Sequence, residues 1–219
     1  AYADLITSAL PELAPMQGCQ QQNPHHLYDV WEHTVRAVGQ VPAEPVLRWA
    51  MLLHDSGKPA CKTGDEQGIG HFRGHPKASL ALSRELLPRL RFSSADTERI
   101  LLLVERHDTP LGDNEKLVRR SLSRIGEARF RDRLAIKKGD AGGQGTSRDY
   151  VAQLVETEAL LNRVRAQEQC FSLRQLAVNG TDLQALGLRG RPVGEMLHAL
   201  LDAVIDGRTA NRRETLLRL

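Results

Sequence analysis

The sequence predicts an all-α protein, and three observations carry that prediction. Apolar residues recur at helical spacing in most segments, as in Val46, Leu47, Trp49, Ala50 and Leu53. Residues that open and stop helices bracket those segments: Asp29, Pro76 and Ser94 as starts, Gly57, Pro59 and Pro110 as stops. No strand pattern is convincing, and no internal repeat is visible.

Asp29-Val30-Trp31-Glu32 has capping-box spacing and opens a helix that carries His33. The next helix runs from Val46 to His54, and Gly57 and Pro59 stop it. Lys62 to Gly74 is rich in glycine and polar residues and is expected to be a loop. Pro76 starts a helix through Leu80, Leu82, Leu86 and Leu87. Ser94 opens another, through Ile100, Leu101, Leu103 and Val104 to His107, ended by Asp108-Thr109-Pro110. Leu117–Ile125 and Ala128–Lys138 are two further helical stretches. The glycine-rich run Gly139 to Arg148 is expected to be a break and a hinge, and Asp149 to Gln167 a long polar amphipathic helix. From Phe171 onward, two glycine-punctuated pieces (Val178–Leu183 and Leu186–Pro192) precede a helix from Val193 to Asp206. That helix has Met196, Leu197, Leu200, Leu201 and Val204 on one face. The expected domains are a helical domain over 1–148 and a smaller C-terminal helical region over 149–219.

The 219 residues suit one large or two small domains. No apolar run approaches the ~20 residues of a membrane span. Ala1-Tyr2-Ala3-Asp4 lacks the basic and apolar regions of a signal peptide. Cys19, Cys61 and Cys170 are widely spaced with no C-x-x-C, so no disulfide framework is expected and a reducing cytoplasm is. A net charge of +3 does not by itself imply nucleic-acid binding. Its distribution says more. Arg119, Arg120, Arg124, Arg129, Arg131, Arg133, Lys137 and Lys138 face only Glu127 and Asp132, which makes either a solvated helical face or a phosphate-facing patch.

Candidate chemistry centres on His54-Asp55, an imidazole beside a carboxylate at the end of an apolar helix. His33 lies upstream, and His71, His75, His107 and Asp140 lie downstream. A mixed nitrogen and oxygen set suits Zn, Fe, Mn, Ni or Mg rather than a thiolate site. His33, His54, Asp55 and Asp140 can hold one divalent ion. If the Asp55 carboxylate bridges, His75 and His107 can hold a second. Two ions ~3.5–4 Å apart clamp a phosphate and acidify a water, which points to phosphoester hydrolysis. Gly74 and Pro76 argue against one helix through His71 and His75, so His75 is preferred as ligand and His71 as a substrate contact, though the two can exchange roles. His25, His26 and His198 are not assigned as ligands.

Leu53-His54-Asp55-Ser56-Gly57-Lys58 resembles the signature of the HD superfamily of metal-dependent phosphohydrolases. That resemblance implies an all-α HD-domain bundle, with His33, His54, Asp55 and Asp140 as ligands and His75 and His107 for a second ion. It also implies that Lys58 contacts the substrate phosphate. More narrowly, the chain is similar to the HD and C-terminal region of bacterial tRNA nucleotidyltransferases, the CCA-adding and poly(A) polymerase-like enzymes. Three stretches carry this: Asn23–Thr34, Gly70–His75, and Asn179-Gly180-Thr181-Asp182-Leu183 running on to Asn211. The nucleotidyltransferase head has no counterpart, since no Gly-Ser followed by a paired-Asp strand is found, so this chain alone is not expected to add nucleotides. Gly139 stands where that family often has alanine and is expected to loosen the helix that carries Asp140.

Two functions follow as expectations. The first is a metal-dependent phosphohydrolase or phosphodiesterase for a nucleotide or RNA-end phosphoester. In it Asp55 and Lys58 are catalytic, and Lys58, His71 and Arg73 bind substrate. The alternative is a non-catalytic tRNA-binding module or a fragment of a tRNA nucleotidyltransferase. It would grip tRNA through Arg119 to Lys138 and through Arg189, Arg191, Arg208, Arg212 and Arg213. No membrane partner is expected.

Overall fold

The structure is a computed structural model that describes residues 3–22, 27–146, 148–166 and 170–219. Among the described residues it is all-α apart from one two-stranded hairpin. The helices are α1 (Ala3–Ala9), α2 (Val30–Gln40), α3 (Pro45–Leu53), α4 (Lys58–Cys61), α5 (His75–Leu86), α6 (Ser94–Arg106), α7 (Glu115–Ile125), α8 (Glu127–Gln144), α9 (Arg148–Ala166), α10 (Gly180–Ala185), α11 (Arg191–Ile205) and α12 (Arg213–Leu216). The described residues also form 3₁₀ turns at Pro11–Met16, Leu87–Leu90 and Leu173–Gln175.

Contacts divide the chain into two compact units, Ala1–Pro110 with Arg131–Leu154, and Leu111–Phe130 with Val155–Leu219. This division follows packing, whereas the one expected at 148/149 follows composition.

In the first unit the start signals act as their chemistry dictates. The Asp29 carboxylate caps α2 by accepting from the Glu32 amide at 2.7 Å. Pro45 and Pro76 stand in the first turns of α3 and α5, where a missing N–H costs nothing. Ser93, one residue before the expected start, caps α6 through the Asp96 amide. The apolar faces of α2, α3 and α6 meet in a core that includes Val30, Ala37, Leu47, Met51, Leu53, Ile100, Leu103, Val104 and Ile136. Arg99 on α6 ties this layer together, with Nε and Nη2 at 2.6 and 2.7 Å from Asp132 on α8 and Nη2 also 3.1 Å from Glu44.

Three expectations are corrected here. Lys62–Gly74 is not wholly loop: Thr63–Gly64 and Gly70–His71 pair as antiparallel strands, β1 and β2. Pro59 does not only stop a helix, because it sits in the first turn of α4. Gly139 to Gln144 is neither break nor hinge but the last part of α8. The reason is packing. A Cβ on Gly143 would lie 2.8 Å from the Ala37 Cβ and 2.9 Å from the Ala37 nitrogen, and one on Gly139 would lie 2.5 Å from Val41 Cγ1. These glycines let α8 lie close on α2. Burial of that seam outweighs their poor helix propensity, and Gly139 seats the helix carrying Asp140 rather than loosening it.

The second unit has its own core of Leu176, Val178, Leu183, Val193, Leu200, Leu201, Val204, Ile205 and Leu216. Asn179 and Asp182 form a reciprocal capping box at the start of α10. Asn211 holds the chain before that helix by accepting from the Ala177 amide and donating to the Gln175 carbonyl, both at 2.8 Å. Arg213 pairs with Asp182 at 2.8 Å. The spacing from Asn179 to Asn211 is thus a set of local backbone clamps. Asn23–His26 and Gln167 lie outside the described residues.

Candidate metal centre

Four helix ends aim side chains at one point in the first unit. His33 lies in the first turns of α2 and is fully buried. His54 caps the C-terminus of α3, and Asp55 follows in a turn closed by the Ser56 hydroxyl on the Leu53 carbonyl at 2.8 Å. Gly57 belongs to this turn for a steric reason: a Cβ there would stand 2.4 Å from the Ser79 nitrogen. Its own amide donates to the Ser79 hydroxyl at 2.9 Å. His75 opens α5 after the left-handed Gly74, and His107 caps the end of α6. Asp140 comes from α8.

Two clusters result, and they share Asp55. In the first, His33 Nε2 lies 3.3 Å from His54 Nε2, 3.4 Å from Asp55 Oδ2 and 3.1 Å from Asp140 Oδ1. His54 Nε2 lies 3.2 Å from the same Asp55 oxygen and 3.7 Å from Asp140 Oδ1. In the second, His75 Nε2 lies 3.1 Å from His107 Nε2, and the two stand 3.2 and 3.8 Å from Asp55 Oδ1. One carboxylate therefore offers a separate oxygen to each cluster.

The donor set fits cations. His54, His75 and His107 each place Nδ1 within 2.6 to 2.9 Å of a backbone carbonyl, those of Met51, Phe72 and Val104. A carbonyl only accepts, so Nδ1 carries a hydrogen, and in the neutral imidazole Nε2 is left with its lone pair. The Nε2 lone pairs of His75 and His107 then face each other at 3.1 Å beside a carboxylate oxygen, an arrangement that a cation relieves. Bonds of roughly 2.1 Å to one ion would separate neighbouring donors by about 3.0–3.4 Å, which is the spacing most of these pairs show. Asp55 Oδ2 is buried without an aligned hydrogen bond, although Lys58 Nζ is an ion-pair partner at 2.6 Å.

The electrostatics agree. Burial works to protonate Asp55, but His54 and Lys58 hold its carboxyl well below the usual range. Burial likewise opposes charge on Asp140, and hydrogen bonds from His33 and His54 hold it low. Burial also opposes a charged His54, yet Asp55 and Asp140 outweigh it and push the imidazole up to about 10. Burial, with the positive His54 nearby, pulls His107 down to about 4, which leaves a neutral ligand. A metal ion must therefore compete with a proton for His54. The expected outcome is proton release on metal binding and an affinity that falls as pH is lowered, checked by metal titration in buffers of different ionisation enthalpy.

Seven of the residues singled out in the sequence come together here: His33, His54, Asp55, Lys58, His75, His107 and Asp140. Two do not. His71 is 40% exposed on β2 and pairs with Asp65 at 2.9 Å, and Arg73 is exposed on the following turn. Lys58 is buried rather than poised in the open, with Nζ donating to Gln21 Oε1 at 2.8 Å and lying over the Phe72 ring. Gln21 carries no motif, and Phe72, though within the Gly70–His75 stretch, has no role foreseen in the sequence. Nor is the basic stretch one surface: Arg133 and Lys137 are each only 4% exposed.

The fold and this cluster define a helical protein with clustered histidine and aspartate ligands, and comparison with known proteins places it further. The tRNA nucleotidyltransferase domain 2 family matches residues 76–219. The A-adding tRNA nucleotidyltransferase of Deinococcus radiodurans is 33% identical over 96% of this chain and 50% of its own length. The CC-adding tRNA nucleotidyltransferase of Thermus thermophilus is 34% identical over 96% of this chain and 48% of its own length. A bifunctional uridylyltransferase/uridylyl-removing enzyme of Rhodopseudomonas palustris is 31% identical over 40% of this chain and 11% of its own length. The chain belongs to the tRNA nucleotidyltransferase family, and it spans about half the length of the two nucleotidyltransferases it matches. Among the described residues no helix is long and apolar enough to cross a membrane, and Cys19, Cys61 and Cys170 are free thiols.

Proposed function

We propose that this chain is a tRNA-engaging helical part of a tRNA nucleotidyltransferase-family protein working in the cytoplasm. The likeness to two enzymes named for acting on tRNA, over 96% of this chain, supports that reading. The basic residues it would use include Arg124, Arg129, Arg189, Arg191 and Arg212, all carried by the second unit and none of them buried. Phosphate contacts release counterions, so the reading predicts tRNA binding that weakens steeply with salt. A log–log slope of about −0.7 to −0.9 per phosphate contact is expected. Binding that ignores salt between 50 and 200 mM, conditions over which ~6 contacts cost about a thousandfold, would count against it.

We further propose that the first unit hydrolyses phosphoesters of a nucleotide or an RNA end, as the HD resemblance implies. The single observation that carries this is Asp55, with one oxygen in each of two histidine clusters. His33, His54, Asp55 and Asp140 would hold one divalent ion, and Asp55, His75 and His107 a second. Bound there, such ions neutralise phosphoryl charge and acidify water for in-line attack at phosphorus. The chain's own part is to orient imidazoles through their Nδ1 bonds, to exclude bulk water with a buried floor, and to keep Asp55 ionised through Lys58. The test is turnover of 2′,3′-cyclic nucleotides, nucleotides and p-nitrophenyl esters by metal-reconstituted protein. Absence of turnover with every ion would leave the tRNA-engaging reading alone.

A further inference from the structure

Lys137 has no part in the hydrolytic site as described so far. It lies on α8 one turn before Asp140 and is 4% exposed. Among the described residues its Nζ has one hydrogen bond, to the Tyr150 hydroxyl at 3.3 Å, and it enters no ion pair. Its one hydrogen-bond partner is a neutral phenol, and the charges of Asp140 and Asp108 offset only part of the cost of its burial, so a further anion at the amine would be favoured.

Its neighbours fix where that anion would arrive. Asp140 and Asp108 are the carboxylates whose charge acts on Lys137, and the same two act on Tyr150. Asp108 directly follows His107 of the second cluster, and Asp140 belongs to the first. Lys137 stands one turn from Asp140 on α8, and the Tyr150 phenol is held against it by their hydrogen bond. Arg133, a further turn back on the same face, adds positive charge and donates from Nη2 to the Thr109 carbonyl at 2.8 Å. The Asp140 and His75 side chains are 19% and 17% exposed, against 2% or less for His33, His54 and Asp55. Lys58 is a weaker candidate for the same task, because Asp55 at 2.6 Å and Gln21 at 2.8 Å already satisfy its ammonium.

We propose that Lys137 and Tyr150 form a phosphoryl-anion subsite beside the metal clusters, the amine and the phenol donating to oxygens of the substrate phosphoester. The proposal rests on the hydrolytic reading for its substrate but not for its chemistry, since any tetrahedral phosphate presents the same oxygens. Burial pulls the Lys137 amine below its ordinary value, and Asp140 draws it back up. An arriving phosphate would act in the same direction as Asp140.

The experiment has two arms on the whole chain. In the first, inorganic phosphate is titrated calorimetrically into wild type, Lys137→Met and Tyr150→Phe. Loss of a charge-assisted bond should weaken phosphate binding by about 10–100-fold in Lys137→Met, with a smaller loss in Tyr150→Phe. Lys137→Met should unfold at the same temperature as wild type or higher, because burial of the amine outweighs the help of Asp140 and Asp108. A structural lysine would show the opposite, lowered stability with unchanged phosphate affinity, and that result would overturn the proposal. Should Lys137→Met fail to fold, Tyr150→Phe, which keeps the ring, decides: wild-type phosphate affinity there also overturns it. In the second arm, KM for p-nitrophenyl phosphate should rise about tenfold or more in Lys137→Met, and an unchanged KM excludes the subsite from substrate binding. If no variant turns over any ester, the hydrolytic reading fails while the phosphate arm still judges the subsite.

Discussion

Asp55→Asn is expected to remove metal from both clusters at once. The substitution keeps the shape of the side chain but takes away the negative charge that faces four nearby imidazoles and Lys58. One carboxylate serves both clusters, so the loss should be larger than for His33 or His107, each of which serves only one. Metal content, measured after reconstitution and desalting, should fall from two ions per chain towards none. Ester hydrolysis should fall by more than the roughly 10–100-fold that outer partners of a metal ligand are worth. Retention of both ions and of the wild-type rate would show that Asp55 does not join the clusters.

Gly143→Val is expected to give the second large effect, and it acts from outside the ligand set. A side chain there meets the Ala37 Cβ and nitrogen at 2.8 and 2.9 Å, and these belong to the core of α2 rather than to a flexible tip. Overpacking of this kind costs about 1–3 kcal/mol. α8 must then move away from α2, and Asp140 moves with it, away from His33. Denaturant unfolding should show the lost stability, and metal analysis should show the first cluster weakened. Gly142→Ala is the control: its Cβ would meet only the Gln40 side chain, at 3.2 Å or more. There the gain in helix propensity, up to about 1 kcal/mol, should appear with metal content unchanged.

Much of the ligand set was legible in the sequence because its signals are local. Histidine and aspartate types, their order, and the caps around them are read residue by residue. The sequence favours His75 over His71, with the two exchangeable, because Gly74 and Pro76 argue against one helix through both; in the structure His75 is the one that joins the group. What stayed hidden depends on pairs of elements far apart in the chain. The run from Gly139 to Gly143 reads as a break when taken alone and becomes a helix only once Ala37 and Val41 are known to face it. The G-x-x-x-G spacing of Gly139 and Gly143 was the one available hint. Gln21 carries no motif, and its role exists only because Lys58 reaches back to it at 2.8 Å. Arg133 and Lys137 looked like part of a continuous basic face, yet their spacing to Asp140 puts them on the inward side of α8. The hairpin pairing Thr63 with His71 was missed because two-residue strands leave no alternation to detect.

The central claim is that a single carboxylate joins two metal clusters. It is tested most directly by reconstituting the protein with Mn²⁺ and recording its electron paramagnetic resonance spectrum. Two ions bridged by Asp55 should give the signal of a spin-coupled pair at two equivalents of Mn²⁺, and Asp55→Asn should abolish it. A spectrum of isolated Mn²⁺ at every stoichiometry, or no bound Mn²⁺ at all, would contradict the account.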